Sequence, residues 1–152
     1  LSSIIISIME DSIIDSPLVE YTDEEYKYAS QFNSKEYDLK DNIDASYEKG
    51  KKSIQIGSTD VADVSWIAPM GSITVTTMAK DSTMHGWSVV AQGKSSIAHK
   101  GMHRAAGILA QAALRVIESP ELQKKIKEDF NKSKAGEEYG SLLPANVKPG
   151  DF

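Results

Sequence analysis

Apolar residues return every three or four positions at Ile4, Ile5, Ile8, Met9 and Ile13, with Ser, Glu and Asp between them. That spacing predicts a short helix with one buried face, which Pro17 ends. Thr22-Asp23-Glu24-Glu25 then has the form of a capping box, in which hydroxyl and carboxylate each satisfy the other residue's backbone N–H. The helix it opens carries Tyr28, Ala29 and Phe32 on its apolar side and runs to about Asn33. Residues 34–52 lose this periodicity. Only Tyr37, Leu39, Ile43 and Tyr47 stand as anchors among polar residues, the pattern of a long loop.

From Ser53 the pattern changes. Val64–Ile67, Ile73–Thr77 and Trp87–Ala91 are runs rich in β-branched and aromatic residues, the first two separated by Pro69-Met70-Gly71 and the third closed by Gly93. They predict three short strands. Ser95 or Ser96 then caps a long helix whose face is drawn from Ile97, Gly101, Ala105, Ile108, Ala112 and Val116, together with Leu109 and Leu114. It stops near Glu118. Ser119-Pro120 opens a last helix, with Leu122, Ile126 and Phe130 inside, Lys124, Lys125 and Lys127 outside, and Gly136 at its end. Helices, then strands, then helices predict an α/β fold: a short mixed sheet with the C-terminal helices packed on it. The expected division is a helical lead-in over 1–33, a polar loop over 34–52, an α/β unit over 53–136 and an extended tail over 137–152.

The 152 residues suit one domain, and a hydrophobic fraction of 40% with 26% charged residues is ordinary for a soluble protein. A formal charge of −5 with no basic stripe argues against a nucleic-acid partner. The absence of cysteine removes disulfides, thiolate metal sites and a cysteine nucleophile together, and fits a cytoplasmic location. Leu1–Met9 is apolar but lacks a basic leader and runs straight into Glu10 and Asp11, so it is not read as a signal peptide. No stretch has the length of a membrane span. A leucine in first place leads to the expectation that the chain is a piece of a longer protein.

Two places look like chemistry. In Gly57-Ser58-Thr59-Asp60-Val61-Ala62-Asp63, a small-residue turn holds two carboxylates and two hydroxyls. Such residues form side-chain-to-backbone turns, and they also line ligand loops that a glycine lets the backbone approach. Both readings stay open. In Met84-His85-Gly86-Trp87, a lone histidine sits between predicted strands; a metal role would require two or three further N or O ligands. His99 and His103 share a helix face at i, i+4, the spacing of a zinc-binding helix. Lys100 stands where the protease version has glutamate, so the motif is incomplete. No Gly-x-Ser-x-Gly elbow, Walker loop or dinucleotide fingerprint occurs.

The run Gly57 to Trp66, the pair His85-x-Trp87, the string Ala98-His99-Lys100-Gly101-Met102 and the stretch Pro17 to Ala29 carry a resemblance. They resemble the C-terminal part of amidohydrolases in the zinc aminoacylase/carboxypeptidase-type peptidase family, in its aminobenzoyl-glutamate utilization branch. The resemblance implies a partial three-layer sandwich and a metallopeptidase-like hydrolase of N-acyl amino acids or dipeptide-like substrates. It implies two zinc ions in the full-length protein, with His85 ligating one of them and Ser58, Thr59 and Asp60 beside the substrate. It gives His99 no catalytic duty.

The family's His-x-Asp ligand pair, bridging Asp and Glu-Glu pair have no counterpart beyond Glu24-Glu25 and Glu137-Glu138, which read more simply as a helix start and a tail. Ala62 stands for a usual glycine and Gly86 for a usual serine. One histidine cannot hold a binuclear site. The expectation is therefore a C-terminal portion of a metal-dependent amidohydrolase, inactive as this isolated chain. It would be completed by a missing N-terminal half or a second chain and be homo-oligomeric, with no nucleic-acid or membrane partner. The alternative is a non-catalytic α/β binding or interaction module that keeps the scaffold.

Overall fold

The computed structural model describes residues 2–50, 59–141, 143, 144, 146, 147 and 150. Six α-helices follow one another among them: α1 (Ser3–Asp15), α2 (Asp23–Ser30), α3 (Val61–Ile67), α4 (Trp87–Gln92), α5 (Ser96–Ile117) and α6 (Pro120–Lys134), with a 3-10 turn at Leu39–Asn42. Four of them begin on a hydroxyl that accepts an otherwise unpaired backbone N–H. Ser2 accepts from Ile5, Ser95 from Ala98 at 3.1 Å and Ser119 from Leu122 at 3.3 Å. The capping box of α2 is complete: Thr22 Oγ1 accepts from the Glu25 amide, and Glu25 Oε2 accepts from the Thr22 amide at 2.7 Å. Ala135 and Gly136 both turn left-handed, with φ of 52° and 83°, and so stop α6.

The expected α/β sandwich is not what forms. No strand occurs among the described residues, and two of the three runs read as strands are helical. Val64–Ile67 lies in α3 and Trp87–Ala91 in α4, while Ile73–Thr77 has no regular structure. Local bonds explain α3. The Thr59 hydroxyl accepts from the Val61 amide at 3.2 Å, and the Asp60 carbonyl accepts from Asp63 at 3.0 Å, starting a helical turn. Helix propensity disfavours valine and isoleucine by well under 1 kcal/mol per residue, so a good start outweighs it. A helix also satisfies its own backbone, whereas a strand needs neighbours to do so.

Packing centres on α5. Ile8 and Met9 of α1, Ala112 of α5 and Ile126 of α6 form one buried cluster, with Ile4, Ile5, Ile73, Val116 and Leu122 around it. A second joins Ala29 of α2, Ile43, Ala79 and Ile97 of α5 under Tyr21, Tyr26, Tyr28 and Phe32. Within residues 34–50, Asn42 and Ile43 are buried beside α2. The extended segment crosses α5 at Gly101, where an added Cβ would lie 2.1 Å from the Thr76 carbonyl oxygen. Gly71 meets α1 in the same way, 2.5 Å from Ile5 Cγ2.

One buried carboxylate ties α2 to α5. Glu25 accepts from Ser96 Oγ at 2.5 Å and from Lys100 Nζ at 2.6 Å, and Lys100 also donates to the Glu20 carbonyl at 2.9 Å. Burial pushes the Glu25 carboxyl up, but bonds from Lys100, Ser96 and the Thr22 amide pull it down further, so it titrates below its ordinary value. Because the folded value lies below the unfolded one, its stabilisation is present above the unfolded pKa of about 4.3 and is lost as pH falls through the folded value.

Two measurements check this packing. Gly101→Ala is expected to cost about 1–3 kcal/mol in urea unfolding, whereas Gly107→Ala, whose Cβ meets nothing within 4 Å, is expected to gain up to about 1 kcal/mol. Equal effects of the two substitutions would refute the contact with Thr76. Glu25→Gln is expected to cost roughly 1–2 kcal/mol near neutral pH, and that cost should shrink on titration toward about pH 3. A cost that grows on acidification would show that the carboxylate is not the stabilising form.

Candidate functional site

The segment from Ala79 to Gln92 holds His85 out on a rigid turn. Its core is Gln92, almost wholly buried at the end of α4. Gln92 Oε1 accepts from the Ala79 amide at 2.7 Å, and Nε2 donates to Ser82 Oγ and to the Ser88 carbonyl, both at 3.0 Å. One side chain therefore closes both ends of the turn. The Lys80 amide donates to the Asn42 carbonyl at 2.9 Å, and Tyr37 donates its phenol O–H to Asp81. Accepting that bond, Asp81 raises the pKa of the Tyr37 phenol.

His85 itself is exposed and has a φ of 60°, a left-handed backbone that costs a residue other than glycine about 1–2 kcal/mol. Gly86 follows as the first residue before α4, and its carbonyl accepts from Val89 at 3.2 Å. Large apolar residues next to it in the chain are also exposed. Met84 is exposed, and Trp87 and Val90 expose 77% and 80% of their area. Trp87 touches the body of the chain through Phe32, ring centroids 6.1 Å apart. The turn thus holds an exposed imidazole on a left-handed backbone, flanked in the chain by exposed Met84 and Trp87.

The other expected site residues fall elsewhere. Ser58 lies outside the described residues, as does Gly57. Thr59 and Asp60 are exposed at the start of α3. Thr59 uses its hydroxyl on the Val61 amide, and the Asp60 carboxylate makes no cap bond, so the local turn is built by threonine and not by the aspartate. Among the described residues, no recorded bond or ring contact joins Thr59 or Asp60 to His85. His99 and His103 sit exposed on α5, while Lys100 between them is engaged with Glu25. No group of three or more His, Asp or Glu that could hold a metal ion occurs among the described residues. The donor set here thus falls short of a zinc site, and any metal would need ligands from another segment.

Sequence reasoning missed Gln92. Its signal was present: a long polar side chain closes the apolar run Trp87–Ala91 just before Gly93.

Comparison with known proteins gives the site a setting. No protein-family profile matches the chain, and no solved structure does. Over 97 residues, 64% of its length, the chain is 32% identical to a subunit of the p-aminobenzoyl-glutamate hydrolase of Escherichia coli strain K12. The chain is related to a hydrolase subunit. It spans about a fifth of that relative's length. No helix among the described residues is long and apolar enough to cross a membrane.

His85 and Gln92 separate cleanly in a stability assay. His85→Ala is expected to change unfolding free energy by no more than about 0.5 kcal/mol, as for an exposed side chain. Gln92→Ala is expected to cost about 2–3 kcal/mol, because it leaves the buried Ala79 amide without its acceptor. A large loss from His85→Ala would make that residue structural and remove it as a site candidate.

Proposed function

We propose that this chain is the C-terminal portion of a metal-dependent amidohydrolase and supplies one wall of its active site. The relation to a hydrolase subunit carries the reading, and the outward, strained placement of His85 supports it. In this reading His85 is a ligand to one of two zinc ions, and Ser58, Thr59 and Asp60 lie along the substrate. The remaining ligands come from further polypeptide, in the same chain or a second one. Bound zinc would polarise the scissile carbonyl and lower the pKa of a water.

This chain's own contribution is positional. Gln92 fixes both ends of the turn, so the imidazole is presented without having to be ordered when the site is completed. The bare side chains of Met84, Trp87 and Val90 would then exclude water around it once covered. The substrate class is an N-acyl amino acid or dipeptide-like amide. The relative's name makes p-aminobenzoyl-glutamate the first compound to try.

The test joins two assays. Extending the coding sequence upstream of Leu1 and assaying the longer product with zinc is expected to give amide hydrolysis that a chelator abolishes. His85→Ala should lower it by roughly a thousandfold or more, the scale of losing a catalytic metal's ligand. The 152-residue chain with added zinc is expected to be inactive. Robust, chelator-sensitive hydrolysis by the isolated chain, or full activity of the His85→Ala longer product, would overturn the proposal.

A further inference from the structure

The inner face of α5 is buried through Ile97, Gly101, Ile108 and Ala112. Its outer face is apolar over most of its length, with the exposed His99 and His103 at its N-terminal end. Met102, Ala106, Leu109, Ala113 and Ile117 recur at intervals of four, three, four and four, the spacing of a helix seam. Met102, Leu109 and Ile117 expose 55%, 45% and 68% of their area. From Ala105 to Leu114 there is no charge, and Gln111 is the one polar side chain. Nothing lies within 4 Å of a Cβ added at Gly107, so a neighbour can come close to the helix backbone there.

The adjoining helix shows what a wet face looks like in this protein. On α6, Lys124, Lys125 and Lys127 lie between Glu121 and Glu128-Asp129, and Lys125 pairs with Glu121 at 2.8 Å across one turn. A helix whose middle, from Ala105 to Leu114, is uncharged on every side is suited to burial on more than one side.

The surface area says how large. The chain exposes 11330 Å², whereas a folded monomer of its mass, 16.6 kDa, exposes roughly 7,600 Å². Exposed Val61, Val64 and Ile67 on α3, Trp87 and Val90 on α4, and Met102, Leu109, Leu114 and Ile117 on α5 contribute to that excess of roughly 3,700 Å². A standard interface with a second copy would cover about 800 Å² per partner and leave most of it open.

We infer that the outer face of α5 is an internal contact of the working hydrolase. Its occupant is the polypeptide corresponding to the four-fifths of the relative that this chain does not span, presenting an uncharged apolar face of its own. This rests on the reading of the chain as part of a larger hydrolase and adds which surface joins the parts. Small residues along the seam, Ala106 and Ala113, set a close approach, while Arg115 turns the other way to pair with Asp15 of α1.

The test is site-specific photo-crosslinking in the native host, with a benzophenone amino acid placed at Leu109 and, as the solvated control, at Lys127. The expected result is at least tenfold more product from position 109, joined to a peptide whose sequence aligns with the relative outside the matched stretch. Equal yields from the two positions would overturn the inference, as would a product joining two copies of this chain or a peptide unlike the relative. The double variant Ala106→Glu with Ala113→Glu, probed from position 109, should lose the cross-link at least tenfold. In the isolated chain it should keep its helical circular dichroism and melt within about 2 °C of the parent, as exposed positions do. Unfolding of that variant in isolation would place the seam in the chain's own core and overturn the inference. The function is tested separately by hydrolysis: the cross-link can stand where the His85→Ala assay fails, and the reverse.

Discussion

The close approach of Thr76 to Gly101 sets how the extended segment between α3 and α4 lies against α5. With any side chain at position 101, the extended segment would have to lift off the helix by roughly 1.5 Å, the gap between the present approach and an ordinary contact. Ile73 would then leave the cluster it shares with α1 and α6, and Ala79 the one it shares with α2 and Ile97. Through Ala79 the contact also reaches Gln92, whose side-chain oxygen is bonded to that residue's amide. A single missing methyl group therefore aligns two separate clusters and the turn that presents His85.

Where local chemistry decides the structure, the sequence was readable. Hydroxyls at Thr22, Ser95 and Ser119 start helices where their positions suggest, and Pro17 follows the end of α1. Propensity failed at residues 64–67 and 87–91, because β-branched runs report a preference that only a neighbouring strand can satisfy. In α5 the sequence showed apolar residues without showing which side would be covered. Ile108 and Ala112 turn inward, while Leu109 and Leu114, counted with them in the expected face, are exposed. Of the candidate site, His85 stood out in the sequence by type and neighbours, but the left-handed backbone beneath it and the bonds of Gln92 are products of tertiary contacts, which no spacing reveals.

Polar interiors do different work at the two ends of the chain's middle. Glu25 is a charged hub whose bonds to Ser96, Lys100 and Thr22 hold two helices together and respond to acid. Gln92 is neutral, fully bonded and insensitive to pH, which suits a group whose task is to keep a turn fixed. Between them Tyr28 donates to the Ala91 carbonyl at 3.2 Å and links α2 to α4, so the hub and the turn belong to one framework.

That separation has an evolutionary side. Folding is indifferent to the imidazole of His85 and gains nothing from the left-handed backbone beneath it, so selection for stability alone would drift position 85 toward glycine or asparagine. Gln92, by contrast, is held by folding whether or not the chain is used. Under selection for folding alone the histidine should be lost while the glutamine persists, so the two positions would report use and structure separately.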